Sequence, residues 1–139
     1  MRPVMIAVAL IALGCGAHSP ATAPIDVPAG QVFELAIGQS ARLSGPIATI
    51  AFIAVRNDSR CPVGPLTLCV SAGNAQVRLE VAQSGRADTL DLNTDVDPKE
   101  RSVGTLLIRL TALSPVSTDG SPVPFAQYRA SIVASGRAD

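Results

Sequence analysis

The sequence predicts an all-β fold, an antiparallel β-sandwich of roughly immunoglobulin size with one disulfide bond. From residue 31 onward, short apolar runs alternate with polar residues and are separated by Gly, Pro, Ser or Asp turn signals. Apart from an N-terminal apolar run, no segment keeps a helical period over three turns. Several short strands with turns between them are typical of a sandwich, and an open barrel is the competing architecture.

The individual strands follow from the alternation. It is clearest between Ala75 and Val81, where aliphatic side chains point to one face and polar side chains to the other. The turn pair Ser84–Gly85 ends this strand. An unbroken apolar run predicts a strand at 49–56 that is buried on both faces, and Tyr128 is expected on the inner face of the last strand. The other strands are predicted at 33–37, 41–43, 89–92, 103–113 and 125–133.

Composition argues against several classes of partner. The chain has 11 basic and 11 acidic residues, so it has no net field to attract nucleic acid. Trp is absent and only 3% of residues are aromatic, which also argues against a surface for stacking single-stranded bases. The core is therefore expected to consist mainly of Val, Ile, Leu and Ala.

The N-terminus predicts a lipoprotein signal peptide over residues 1–14. The apolar run from Val4 to Leu13 is too short to span a bilayer, which needs roughly 20 helical residues. The ending Ala12-Leu13-Gly14-Cys15 resembles a bacterial lipobox. That resemblance implies a mature protein that starts at Cys15 with a diacylglyceryl thioether and an acylated amine. Ordinary secretion with a stray cysteine is the alternative.

Residues 15–30 are predicted to be the lipidated cysteine and a Pro-rich tether, and residues 31–139 the single folded domain. Gly16, next to the cysteine, favours sorting to the outer membrane, facing the periplasm. The chain's one histidine, His18, lies in the tether and is interpreted as a solvated linker residue.

The other cysteines, Cys61 and Cys69, favour a disulfide bond, because an even pair in an exported protein is usually oxidised. Closing this short loop would stabilise the fold by roughly 2.5 kcal/mol in the chain-entropy model. A cysteine-ligated metal and a redox dithiol are the alternatives, and neither is supported by the C-x7-C spacing.

Polar residues around the first cysteine form the candidate binding set. Asp58 is expected to accept backbone N–H groups in an Asx turn, and Arg60 to pair with Asp58 or Glu80. The functional alternative is a recognition patch in which Arg60 binds an anionic group. Gly73–Asn74 predicts a turn in which Asn74 is left-handed, with a ligand contact as its functional alternative.

The motif in this region resembles a group of small, uncharacterised bacterial exported proteins and lipoproteins. Their pattern combines DSRCP with a second cysteine in Cys-x-Trp-Ala-Gly-x-Ala. Here the corresponding segment runs from Cys69 to Ala75, and Ser71 replaces the tryptophan. The resemblance implies a disulfide-pinned all-β domain in the cell envelope, and no activity comes with it.

The residues do not predict an enzyme or a cofactor. The one histidine lies in the tether and no G-x-S-x-G sequence is present. The acidic run from Asp88 to Asp97 is interpreted as a solvated edge that discourages aggregation, with Ca²⁺ binding as the alternative.

Two functions are therefore expected. The first is a lipid-anchored interaction or structural module of the envelope, in contact with the membrane through its anchor and with a protein or cell-wall partner through loops 57–74 and 114–124. The alternative is a periplasmic small-ligand or metal-ion binding protein.

Overall fold

Strands form where aliphatic and polar residues alternate, and the computed structural model, which describes residues 22–137, has nine strands there. A short 3₁₀ helix at Phe125–Gln127 is the one helical element in this range. The strands are, in order, β1 (Ile25–Pro28), β2 (Val32–Ala36), β3 (Ser40–Ser44), β4 (Ala48–Arg56), β5 (Gln76–Gln83), β6 (Arg86–Asn93), β7 (Glu100–Val103), β8 (Leu106–Ser114) and β9 (Arg129–Gly136).

Two sheets pack face to face around the core. One has five strands in the order β1-β3-β4-β5-β6, and the other has four in the order β2-β9-β8-β7. All neighbours are antiparallel except β1 and β3, which are parallel. The predicted all-β sandwich is confirmed, with this one parallel pair as a departure from the expected antiparallel pattern.

The core is aliphatic, as the composition predicts, with three aromatic side chains added to it. Phe33, Phe52 and Tyr128 are buried among Val, Ile, Leu and Ala residues from both sheets. Each large side chain that is fully buried contributes about 1.5–3 kcal/mol by transfer out of water. The largest of these are Phe52, Leu35, Leu43, Ile50, Leu79, Leu92, Leu106, Ile108, Ile132, Val77 and Val81.

β4 is not buried on both faces, contrary to the prediction. Ala48, Ile50 and Phe52 face the core, whereas Ile53 is 42% exposed. A β-bulge lies between Phe52 and Ala54 in the pairing with β5. The outer face of the strand is open to solvent because no third layer formed by residues 22–137 covers this sheet.

Two predicted strands have other bounds in the structure. The segment 103–113 contains a hairpin, because Gly104, with a φ of 56°, turns the chain between β7 and β8. The segment 125–133 begins with the 3₁₀ helix, so that its strand starts only at Arg129. The predicted turn at Ser84–Gly85 is confirmed, and both residues have the positive φ angles of a tight hairpin turn.

Part of the predicted tether belongs to the sandwich. Ile25 to Pro28 form β1, with Val27 buried against the core. The strand is tolerated despite its proline because it lies at a sheet edge, where one side of the backbone needs no partner. The folded domain therefore begins at Ile25 rather than at residue 31.

Long loops gather at one end of the sandwich, which we call the loop pole. Loop 57–75 follows β4 and loop 94–99 follows β6, and these strand ends are level because Arg56 pairs with Gln76 and Gln76 with Asn93. Loop 115–128 joins them, since the Val63 N–H donates to the Ser117 carbonyl at 2.8 Å.

The direction of β1 is fixed by its register. Ile25 lies beside Ala41, which pairs with Ile50, and Pro28 lies beside Ser44. Because β4 runs toward the loop pole, β1 runs away from it. The chain therefore enters the sandwich from the side of the loop pole. Between residues 22 and 137 no helix has the length and apolar character needed to cross a membrane.

Candidate functional site

An ion pair at the start of loop 57–75 organises the loop pole. The Asp58 carboxylate accepts the Arg60 backbone N–H at 3.2 Å, which closes the predicted Asx turn. The Arg60 guanidinium donates to the same carboxylate through Nε at 2.8 Å and Nη2 at 2.6 Å. Of the two predicted partners, the structure selects Asp58 rather than Glu80.

The remaining donors of this guanidinium reach another loop. Arg60 Nη1 donates to the Leu113 carbonyl, and Nη2 donates to the Pro115 carbonyl at 2.8 Å. The Tyr128 hydroxyl donates to Asp58 Oδ2 at 2.8 Å. Loop 57–75 is thus fastened to both ends of loop 115–128. We call Asp58, Arg60 and Tyr128 the brace.

Burial and hydrogen bonding oppose each other in the brace. The side chains of Arg60 and Asp58 are only 8% and 18% exposed. Burial alone would raise the pKa of Asp58, but hydrogen bonds from Arg60 and Tyr128 outweigh it and hold this pKa below its usual value. The pKa of Tyr128 is raised to about 12, mainly by burial and secondly by the hydrogen bond to Asp58.

Asn74 fastens the other end of loop 57–75. The side-chain nitrogen of Asn74 donates to Asn93 Oδ1 at 3.0 Å. The side-chain oxygen of Asn74 accepts the Asp95 backbone N–H at 3.1 Å. Ser59 and Asn74 exchange hydrogen bonds across the loop. The left-handed residue here is Gly73, with a φ of 71°, so the prediction for Asn74 is wrong. A side chain at Gly73 would collide with the Ser59 carbonyl, which reserves this position for glycine.

The predicted disulfide bond is confirmed. Cys61 and Cys69 are joined, with their Cα atoms 6.0 Å apart and a sequence separation of 8. The Cys61 N–H also donates to the Ala72 carbonyl at 2.8 Å. Gly64 lies so close to the Thr118 carbonyl that a Cβ there would be 2.7 Å from the oxygen. The loop is therefore held by its disulfide, by backbone pairing and by contact with its neighbour.

This braced loop presents aliphatic side chains to solvent. Leu66 is 96% exposed and Leu68 is 99% exposed. With Val63 and Val70, also exposed, they form what we call the apolar loop surface. No charged residue occurs between Arg60 and Arg78. A solvent-exposed group of large apolar side chains on an ordered loop is typical of a contact region.

The acidic residues of the predicted metal alternative are dispersed. Arg78 donates to both oxygens of Asp91, at 2.8 and 2.7 Å, and these bonds lower the pKa of Asp91. Asp95 accepts a hydrogen bond from the Thr94 hydroxyl at 3.0 Å. Within the part of the chain that the structure describes, no three His, Cys, Asp or Glu side chains form a group that could hold a metal ion.

The two loops that the sequence singled out, 57–74 and 114–124, lie together at the loop pole in the structure. Asp58, Arg60 and Asn74 are brought to the loop pole, where they bond to the protein itself. The apolar loop surface was missed, although its signal is present in the aliphatic residues between and just after the two cysteines. The predicted lipidation site, Cys15, and His18 lie outside the described residues.

Comparison with protein-family models, with curated proteins and with solved structures gives no match for this chain.

Proposed function

We propose that the chain is a lipid-anchored module of the bacterial envelope that acts by surface contact, with the apolar loop surface as its contact region. The observation that carries the proposal is the near-complete exposure of Leu66 and Leu68 on a loop that is fastened by a disulfide bond and by the brace. The resemblance of Ala12–Cys15 to a bacterial lipobox supports the anchor.

The bracing makes this loop suited to binding. A flexible loop loses conformational entropy when a partner orders it, which reduces affinity. Here the disulfide, the brace and the Asn74 contacts have already ordered the loop. The apolar area that is covered on contact can therefore appear as binding free energy, at about 25 cal/mol per Å² before other costs.

The polar residues at the loop pole support the contact indirectly. All three groups of the brace are occupied by hydrogen bonds within the protein. A cavity of about 280 Å³ beside them is lined by Pro62 and by residues of loop 115–128. Its charged walls, Asp58 and Arg60, already neutralise each other, so this cavity does not favour the small-ligand alternative.

The contact region is tested by photocrosslinking in cells that express the full-length chain. A photoreactive amino acid replaces Leu68 in one strain and Ile47 in another, because Ile47 is also exposed, at 82%, but lies in the β3–β4 turn at the opposite end. We expect adducts with cell-envelope components from position 68 and not from position 47. Equal adduct formation at both positions, or none at either, would contradict the proposal.

The anchor is tested separately by fractionation. We expect the unmodified chain in the membrane fraction and a Cys15→Ser variant in the soluble fraction. An unchanged distribution between the two fractions after this substitution would contradict the lipid anchor.

A further inference from the structure

We infer that the apolar loop surface inserts into the interfacial layer of the bilayer that holds the Cys15 anchor. The occupant of the contact region is then lipid, and the domain is seated with its loop pole against the membrane. This inference rests on the proposed function, because it needs both the anchor and the contact region.

The direction of the chain favours this arrangement. β1 runs away from the loop pole, so its first residue faces the pole, although that residue is level with Ile50, six residues before the pole end of β4. Ala23 precedes Pro24, and a residue before proline is biased toward extended backbone. The backbone thus enters β1 at Ile25 from the direction of the loop pole.

The distances are compatible with seating on the membrane. From Ile50 to the end of β4 at Arg56, the strand covers roughly 20 Å at about 3.3 Å per residue. From Cys15 to Ile25 an extended chain covers at most about 36 Å. The chain can therefore reach past the point at which loop 57–75 begins, so that the anchor and the loop can meet the same bilayer.

The chemistry of the loop favours lipid over a protein partner. Its exposed large side chains are Val63, Leu66, Leu68 and Val70, all aliphatic. Residues that dominate protein–protein binding energy are mostly Trp, Tyr and Arg, with Leu and Val under-represented. Aliphatic side chains suit acyl chains, which are as apolar as Leu and demand no matching shape.

Insertion would be shallow and driven by apolar contact. The loop keeps exposed backbone polar groups, which have no partner in the hydrocarbon layer, so the tip reaches only the boundary between headgroups and acyl chains. Neighbouring loops at this pole carry Asp95, Asp97 and Asp119 against Lys99. Attraction to anionic lipid is therefore not the driving force, and zwitterionic vesicles are the appropriate probe.

Because the chain contains no tryptophan, the fluorescence of one introduced tryptophan reports on its own position alone. The lipidated full-length protein is reconstituted into phosphatidylcholine vesicles that contain a brominated phospholipid. Val70→Trp places a fluorescent reporter on the apolar loop surface, and Ile47→Trp is the matched control at the opposite end. We expect bromine to quench the reporter at position 70 at least threefold more than the control.

A second variant removes the effect of the reporter's own affinity for interfaces. In Val70→Trp combined with Leu66→Ser and Leu68→Ser, we expect the quenching to fall toward the control level. All these positions are exposed, so thermal unfolding should be unchanged and serves as the folding check. Quenching that matches the control, or that survives both serine substitutions, would overturn the inference.

The crosslinking experiment separates this inference from the proposed function. Lipid adducts from position 68 agree with insertion. Adducts with a protein, together with unquenched Val70→Trp fluorescence, would leave the contact region intact and overturn only the assignment of lipid as its occupant.

Discussion

At the scale of single residues, Arg60 determines how the loop pole is assembled. Its guanidinium pairs with Asp58 two positions away and with the carbonyls of Leu113 and Pro115, which lie 53 and 55 positions away. A planar group with several fixed donors is suited to this arrangement, and a lysine could not reproduce it. One side chain therefore joins two loops that belong to different sheets.

Replacing this side chain should be costly. Arg60→Met keeps the apolar stem but leaves the Asp58 carboxylate, which is only 18% exposed, without its cation. We expect the free energy of unfolding to fall by about 2–4 kcal/mol, because removing one partner of a buried pair leaves an uncompensated charge. Chemical denaturation measures the change.

Arg42→Met is the matched control for this experiment. Arg42 and Asp26 are 3.7 Å apart and their side chains are 57% and 76% exposed. We expect a change below about 0.5 kcal/mol, as for most surface ion pairs. Equal losses in the two variants would show that the brace contributes no more than a surface pair.

Tyr128 should make stability depend on alkaline pH. Its pKa is about 12 in the folded protein against an ordinary value of 10.0. Between these values the unfolded chain has lost the phenolic proton and the folded protein has kept it, so stability falls as pH rises through this window, by about 2–3 kcal/mol. The contribution is fully present below pH 10, and its loss is complete only above the folded pKa.

Tyr128→Phe tests this dependence. We expect the variant to lose about 1 kcal/mol at pH 8, where the hydrogen bond to Asp58 is missing, and to lack the tyrosine-dependent decline between pH 10 and 12. Urea unfolding of both proteins across this range gives the difference. A difference that stays constant with pH would contradict the prediction.

At the scale of elements, the sequence predicts a strand where the alternation of apolar and polar residues lies within the strand itself. β5 was predictable because Val77, Leu79 and Val81 alternate without interruption. The β7–β8 hairpin was missed because only Gly104–Thr105 separate the two strands, so that Val103 and Leu106 look like parts of one continuous strand. β1 was missed because Pro24 before it and Pro28 at its end indicate a linker, and its pairing with β3 comes from tertiary contact.

The candidate site shows the same limit. The turn at Asp58 and the disulfide bond depend on neighbours in the chain and were predictable. The fastening of Arg60 to loop 115–128 depends on residues more than fifty positions away, which no local pattern encodes. The exposure of Leu66 and Leu68 depends on that tertiary arrangement, so it could not be predicted from the sequence either.

Gly73 is the element-scale position where a side chain should be least tolerated. Gly73→Ala places a Cβ 1.9 Å from the Ser59 carbonyl oxygen in a backbone with a φ of 71°. We expect a loss above about 3 kcal/mol, because the left-handed conformation alone costs roughly 1–2 kcal/mol and the backbone must also move. Thermal or chemical unfolding measures the loss.

Gly38→Ala separates the two contributions. Gly38 has a similar φ of 82°, but a Cβ there would meet nothing within 4 Å. We therefore expect only the conformational cost of about 1–2 kcal/mol. Similar losses of stability in the two variants would mean that the collision with the Ser59 carbonyl adds nothing to the cost of a side chain at Gly73.

At the scale of the whole molecule, the hydrophobic core of the sandwich does not extend into the disulfide loop. The buried hydrophobic residues lie in the strands and at Ala75 and Tyr128, and none belongs to residues 61–70. The disulfide therefore stabilises the protein mainly by restricting the unfolded chain.

Removing both cysteines should reveal this separation. In the Cys61→Ser, Cys69→Ser double variant we expect the free energy of unfolding to fall by about 2.5 kcal/mol, the chain-entropy value for so short a loop. Amide hydrogen exchange in β5 and β9 should keep its native pattern, while loop 57–75 becomes susceptible to protease. Loss of protection throughout both sheets at room temperature would contradict the prediction.

The parallel pairing of β1 with β3 also has a mechanical consequence. Tension applied from the N-terminal side would act along the axis of β1, because the chain enters this strand from the loop pole. In that geometry the bonds between Ile25–Pro28 and β3 are sheared together instead of being opened one after another. Pulling this four-residue strand away then requires its bonds to β3 to break together, and the segment that was predicted as a tether becomes the point of mechanical attachment.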